Sequence, residues 1–421
     1  MIKKTLILFF CICKFSFAQF ITDATPESAG MSTERLKRID AVVQDYVNKG
    51  WIPGATTLII RNGKVVYQKE FGFSDVESKS AMKKDAIFRI ASQTKAITST
   101  AVMMLYEEGK FLLDDPISKY IPAFKSPKVL EKFNEADSSY TSIPAKREIT
   151  IRDLLTHTSG IGYASIGSKE AVAIYAKNKI PSGIGTPNAK LAESINTLAT
   201  LPLMHQPGEK MTYGLNTDVL GYFVEVISGM NLSEFFQKRI FTPLGMNDTY
   251  FYLPEDKFNR LTTVYTEDKD KNTIKAIATY QDFPKQKGGF YAGGAGLSAS
   301  TIDYAKFLQM FLNGGEFNGN RILSPAIIRM MTSNQIGDLN MGIKKFGLGF
   351  GLVTEKEASR LPVSEGSFDW GGIFGTTYWA DPQEGIVALI MTQKYPNSHP
   401  DLSDKFKVLV YQAITKSNTT K

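Results

Sequence analysis

Apolar residues recur at helical spacing in some stretches of the chain and cluster in short β-rich runs in others, and these two patterns order the whole sequence. Leu36, Ile39, Val42, Val43 and Tyr46 fall on one face of a helix predicted over 32–48, with Ser32 as its cap. Residues 54–60 and 64–71 are β-rich runs joined across Asn62-Gly63, a strong hairpin signal. An apolar run (Ala86, Ile87, Phe88, Ile90) then leads into a helix carrying Ala96, Ile97, Ala101, Val102, Met103 and Leu105. From about 116 to 280 the pattern changes to helices and long loops. A short helix over 151–155 runs out through His157 to a glycine stop at Gly160, and 162–187 shows no clear period and reads as a loop or lid over a site. An amphipathic helix over 217–228 has Asp218 near its start and stops at Gly229; Asn231-Leu232-Ser233-Glu234 offers a capping box for the next, which runs to about Ile240.

Residues 285–300 are dense in glycine, and a helix over 302–312 follows, ended by Gly314-Gly315. Strands are predicted at 346–353, 375–380 and 386–392, and a last helix at 403–414. Strands at both ends with helices between them predict an α+β fold. Its antiparallel sheet, flanked by helices, draws on residues 19–115 and 281–421, with a mainly helical insertion over 116–280 and a cleft between the two.

The first residues change the picture of the termini. Lys3 and Lys4, an apolar stretch from Thr5 to Cys13 and the small residues Ser16 and Ala18 read as a secretory signal over 1–18, cut after Ala18. The expected location is therefore periplasmic or secreted. The apolar stretch is too short to span a bilayer, so no stable membrane insertion is expected. Both cysteines, Cys11 and Cys13, fall in that segment, which leaves the mature chain without a disulfide or thiol ligand. The net charge of +7 falls to +4 without Lys3, Lys4 and Lys14, too mild and too dispersed to argue for nucleic acid. His157, His205 and His399 lie far apart without metal-ligand spacing, and no phosphate-cradling or dinucleotide motif occurs. The expected chemistry uses side chains alone, with neither metal nor cofactor.

That chemistry concentrates in Phe88-Arg89-Ile90-Ala91-Ser92-Gln93-Thr94-Lys95. Ser92 and Lys95, three residues apart on a helix, share one face. A serine hydroxyl becomes a nucleophile only beside a base, and a lysine can be that base only where burial or nearby cations loosen its proton. A serine at a helix start is also a common cap. The second Ser-x-x-Lys, Ser80 to Lys83, sits among charged residues and reads as a solvated loop.

Five stretches in order resemble the serine β-lactamase and penicillin-binding-protein superfamily. They are the Ser92 segment, Leu154-Leu155-Thr156-His157-Thr158-Ser159-Gly160, Pro207-Gly208-Glu209-Lys210-Met211-Thr212-Tyr213, Phe241-Thr242-Pro243-Leu244-Gly245-Met246 and Trp370-Gly371-Gly372-Ile373-Phe374-Gly375-Thr376. The likeness spans nearly the whole mature chain. It is to the group holding class C β-lactamases, D-alanyl-D-alanine carboxypeptidases, D-aminopeptidases and the family VIII esterases. It implies a β-lactamase/transpeptidase-like fold, Ser92 as nucleophile with Lys95 and Tyr213 sharing its proton, and an oxyanion held by the backbone N–H groups of Ser92 and Ile373. His157 is expected to be structural, at a helix end.

Two positions depart from the lactamase pattern. Leu215 stands where the second motif has an asparagine, and Trp370-Gly371-Gly372 where the third has Lys-Thr-Gly. Leucine offers no amide to a substrate carbonyl, and tryptophan gives an apolar wall in place of a cation. Leu215, Trp370, Gly371 and Gly372 are accordingly the expected substrate contacts. Lys287-Gly288-Gly289 is a second candidate for the third motif. Both departures favour the esterase-like branch: a serine hydrolase acting on small esters or amides through a Ser92 acyl-enzyme. The alternatives are a D-amino-acid peptidase, D-Ala-D-Ala carboxypeptidase or weak β-lactamase, and a binding or sensing module that is acylated without turnover. The expected ligand is a small ester, amide or β-lactam-like molecule.

Overall fold

A computed structural model describes residues 21–186, 188–268, 270 and 273–419; the expected signal segment and Pro187 lie outside the described residues. The hairpin signal at Asn62-Gly63 is realised as two long paired strands, Gly54–Arg61 and Lys64–Asp75, in a nine-stranded sheet. Asn62 and Gly63 both take positive φ (52° and 75°), as a tight hairpin turn requires. From edge to edge the sheet runs Thr22–Asp23, Lys64–Asp75, Gly54–Arg61, Ile386–Met391, Thr376–Asp381, Phe368–Gly372, Gly351–Leu352 and Lys345–Phe346, with Ser80–Ala81 paired to the end of Lys64–Asp75. Both ends of the chain therefore build one sheet. Its pairings are antiparallel except at one edge, where Thr22–Asp23 runs parallel to Lys64–Asp75.

The two central strands, Gly54–Arg61 and Ile386–Met391, are buried along their entire length, which explains their continuous rather than alternating apolar sequence. Helices Thr33–Asn48 and Asp401–Tyr411 share a buried cluster with one face of the sheet (Leu36, Ile39, Trp379, Phe406). The other face packs into a larger core with helices Thr94–Glu107, Asn216–Ser228 and Thr301–Leu312. Helix Thr94–Glu107 is buried from Thr94 to Leu105, so it runs through the centre and carries Lys95 on its first turn. Among the described residues no helix is long and apolar enough to cross a membrane.

Four expectations are corrected. Within the stretch read as an aperiodic loop, Lys169–Lys177 forms a helix capped by Ser168, whose hydroxyl accepts from Ala171 N and whose buried face is Ala171, Ile174 and Tyr175. Its lysines and alanines give that face little contrast. The single strand expected over 346–353 is two short strands, Lys345–Phe346 and Gly351–Leu352, folded back on each other through Gly349 at φ 97°. The mainly helical stretch also contains a hairpin, Lys128–Phe133 with Tyr140–Pro144. Only Val129 is buried in it, so an apolar alternation is missing. The helix begun at Asn231 runs on past Ile240 through a wider turn at Gln237–Phe241 and stops only at Gly245.

Candidate active site

Ser92 lies on a tight turn, Ala91–Gln93, that runs directly into helix Thr94–Glu107. Ala91 just before it is a non-glycine residue at φ 42°, held there by a small cluster with Val264 and Phe374. Such a conformation costs energy and persists only where its surroundings enforce it. The segment is anchored from below by the buried Arg89, whose guanidinium donates to the carbonyl of Thr262 at 2.6 Å and to that of Gln281.

Lys95, 3 % exposed, donates from Nζ to Ser92 Oγ at 3.3 Å and to Gly294 O at 2.7 Å. The same ammonium stands over the ring of Tyr213, 4.5 Å from its centroid, and 5.5 Å from that of Tyr163. Tyr213 in turn accepts at its hydroxyl from Trp370 Nε1 at 3.4 Å. Sequence positions 92, 95, 213 and 370 thus converge on one place.

Tyr213 is fixed from behind through two polar neighbours in its own segment, Thr212 and Asn216. His157 O accepts from Thr212 N at 2.7 Å, and His157 Nδ1 accepts from Asn216 Nδ2 at 3.0 Å, while its ring lies 4.9 Å from that of Tyr213. Burial, followed by the nearby Lys95 charge, pushes the His157 imidazole down to about 3, so it is a neutral acceptor. His157 does stand just past the end of helix Ile151–Leu155, as expected, and in addition braces Tyr213. His205 holds the other side through Nε2 and Thr212 Oγ1 at 2.8 Å.

The cleft has a volume of about 490 Å³, with Ser92 and Tyr213 on one wall and Trp370, Gly371, Gly372 and Ile373 on the other. Strand Phe368–Gly372 supplies the second wall and pairs with Thr376–Asp381 in the register Gly372 to Thr376. Neither the Ser92 N–H nor the Ile373 N–H donates to a protein acceptor among the described residues. Ile166 and Lys344 stand at the margin of the cleft. Lys344 is no free cation: it donates to Asp369 Oδ1 at 2.6 Å and lies 3.2 Å from Glu357 Oε1. Burial alone would raise Asp369, but Lys407 and Lys344 outweigh it and hold this carboxyl below its usual range.

Leu215 is the expectation the structure overturns. It is 2 % exposed and belongs to the main core, because residue 215 precedes helix Asn216–Ser228 and turns inward with its apolar face. The polar side chain at this turn is the neighbouring Asn216, spent on His157 and on the hydroxyl of Ser159. Lys287 and Gly288 line a separate groove with Tyr250 and Tyr291, away from Ser92. Ser80 and Lys83 are exposed. Sequence reasoning missed Tyr163, stacked on Tyr213 with centroids 5.9 Å apart, and the buried Asp218. The one signal for them was their closeness to quoted motifs, Gly160 and Tyr213.

The Beta-lactamase family model matches residues 39–413, and the chain belongs to that family. Among its relatives, Protein Rv1367c of Mycobacterium tuberculosis (strain ATCC 25618 / H37Rv) is 34 % identical over 86 % of this chain and 90 % of its own. Esterase EstB of Burkholderia gladioli is 28 % identical over 84 % and 89 %. The solved structure of EstCE1, described as a hydrolase with promiscuous acyltransferase activity, superposes with a TM-score of 0.78 at 26 % identity, covering 90 % of this chain and 99 % of that one. The β-lactamase/transpeptidase-like fold expected from the sequence is the fold observed.

Proposed function

We propose that the protein is an esterase-like serine hydrolase that cleaves small esters or amides through an acyl-enzyme on Ser92. The observation that carries this reading is the convergence of Lys95 Nζ on Ser92 Oγ and on the Tyr213 ring, opposite the apolar face of Trp370. Ser92 Oγ attacks the carbonyl carbon while its proton passes to the Lys95–Tyr213 pair. The carbonyl oxygen becomes an oxyanion facing the Ser92 and Ile373 N–H groups, whose lack of protein partners supports this role. The proton then goes to the leaving alcohol or amine, and water releases the acyl group by the reverse path.

Preference for esters over carboxylate-bearing peptides or penicillins rests on charge. Trp370 offers no cation, and the one lysine at the cleft margin is neutralised by Asp369 and Glu357. The identity of EstB as an esterase supports the same choice. We further infer from the leader-like residues 1–18 that the enzyme works outside the cytoplasm.

The test is turnover of a short-chain p-nitrophenyl ester and of a chromogenic cephalosporin by residues 19–421, beside Ser92→Ala. Ester turnover that vanishes in Ser92→Ala, with little cephalosporin cleavage, is expected. Turnover surviving Ser92→Ala would falsify the acyl-enzyme mechanism, and a single stoichiometric burst without turnover would replace hydrolysis by an acylated sensor.

A further inference from the structure

Lys95 is held more tightly from behind than by the nucleophile. Its 2.7 Å bond to Gly294 O is shorter than the 3.3 Å one to Ser92 Oγ. Gly294 also donates its N–H to Asp218 Oδ1 at 3.2 Å, so one glycine touches both the ammonium and a carboxylate. Asp218 is 2 % exposed, and its Oδ2 has no partner among the described residues. A Cβ on residue 294 would stand 2.4 Å from that Oδ2, so only glycine lets the carboxylate come this close.

A buried carboxylate with an orphan oxygen is costly, and a fold that served stability alone would not keep it. Asp218 lies in the first turn of helix Asn216–Ser228, and its Oδ1 also reaches across to accept from Gly294 N. We propose, resting on the serine-hydrolase reading, that Asp218 is the counter-charge of Lys95 and, acting through Gly294, sets the pH at which the Lys95–Tyr213 pair can accept the Ser92 proton. It is a positioning residue and touches no substrate.

The groups around it leave this role to Asp218. The Lys95 charge on helix Thr94–Glu107 reaches it across Gly294, and Gly183 and Gly294 close over it from two loops. Tyr163 is the phenol beside it, and Tyr213 stacks on Tyr163. Burial, then Asp218 and Tyr213, push Tyr163 well above the usual phenol range, so it stays neutral. His157 near Lys95 is a neutral imidazole. Burial raises Asp218 to about 6 against the opposing pull of Lys95 and the Gly294 N–H, so it is charged at neutral pH and above. The relay must shed one proton before it can take the one from Ser92. An anion beside it holds that proton more firmly, and removing the anion lets it go at lower pH.

The experiment is the pH profile of kcat/KM for p-nitrophenyl acetate between pH 5 and 10 in the wild type, Asp218→Asn, Gly294→Ala and Ser92→Ala. In Asp218→Asn the acid limb moves to lower pH by about one unit, which is about a tenfold gain on that limb relative to the plateau. Gly294→Ala, whose methyl group displaces the carboxylate, moves the limb the same way and serves if the asparagine variant does not fold. A limb that superimposes on the wild type in the folded variants, with Ser92→Ala inactive, overturns the role of Asp218 alone. Turnover that survives Ser92→Ala overturns the hydrolase reading and this inference with it.

Discussion

Gly372 faces the carbonyl of Ile90 so closely that a Cβ on it would stand 2.4 Å from Ile90 O, and equally 2.4 Å from Thr376 Oγ1. The strand forming one wall of the cleft is thereby clamped to the segment that delivers Ser92, two residues beyond Ile90. Distance between nucleophile and wall is set by backbone contact, with no side chain able to intervene. Gly372→Ala should push the two apart and lower kcat/KM for ester hydrolysis by about a hundredfold, the size of losing one well-placed oxyanion donor. Retained turnover in Gly372→Ala, measured on folded protein, would show that the wall is not positioned by this contact.

Trp370 performs two separable tasks. Its ring forms the apolar wall, and its Nε1 donates to Tyr213 Oη at 3.4 Å, a long bond. Trp370→Phe keeps the wall and loses the bond, so kcat should fall by about two- to tenfold with KM little changed, in line with a net contribution of about 0.5–1.5 kcal/mol for one hydrogen bond. Trp370→Ala removes the wall, and KM should rise as well. Equal KM values for the phenylalanine and alanine variants would remove the ring from substrate contact.

What the sequence disclosed here follows the range of the interactions involved. Ser92 and Lys95 are three residues apart, one on the turn that runs into the other's helix, and the Asn62-Gly63 hairpin is local, so both are readable from spacing alone. The meeting of Lys95, Gly294 and Asp218 joins positions about 75 to 200 residues apart, as the sequence separations of their hydrogen bonds show. No spacing rule reaches that far. Gly294 was visible only as one of several glycines in a dense run, and its use as a shared neighbour of a cation and an anion appears only in three dimensions. Leu215 differs in the opposite way: its place beside Tyr213 was legible in the sequence and its side-chain direction was not, since direction is set by how helix Asn216–Ser228 packs.

That inward direction makes Leu215 a stability position. Leu215→Asn would place an amide in the apolar core, where an unsatisfied polar group costs about 1–3 kcal/mol. Urea unfolding should show that loss, while the ratio of ester to cephalosporin turnover stays at its wild-type value. A shift of that ratio towards the cephalosporin would return residue 215 to the substrate.

Asp218 should trade stability for its place beside Lys95. Its folded value of about 6 lies above the ordinary carboxyl value of 3.8. The folded chain therefore binds a proton that the unfolded chain releases between these values. The resulting stability is complete below pH 4 and is lost as pH rises through 6. At neutral pH the buried charge costs on the order of 2–3 kcal/mol. Asp218→Asn should raise the urea midpoint at pH 8 and change it little at pH 4. His157 works with the opposite sign: its folded value of about 3 is below the ordinary 6.5, so its stability is present above 6.5 and lost as pH falls towards 3. The two slopes oppose each other between about pH 4 and 6 in the wild type. In Asp218→Asn the opposing slope of Asp218 is gone, and acid unfolding becomes steeper. Urea midpoints between pH 4 and 8 decide the matter: an asparagine variant less stable than the wild type at pH 8 would mean that attraction to Lys95 outweighs the cost of burying the carboxylate.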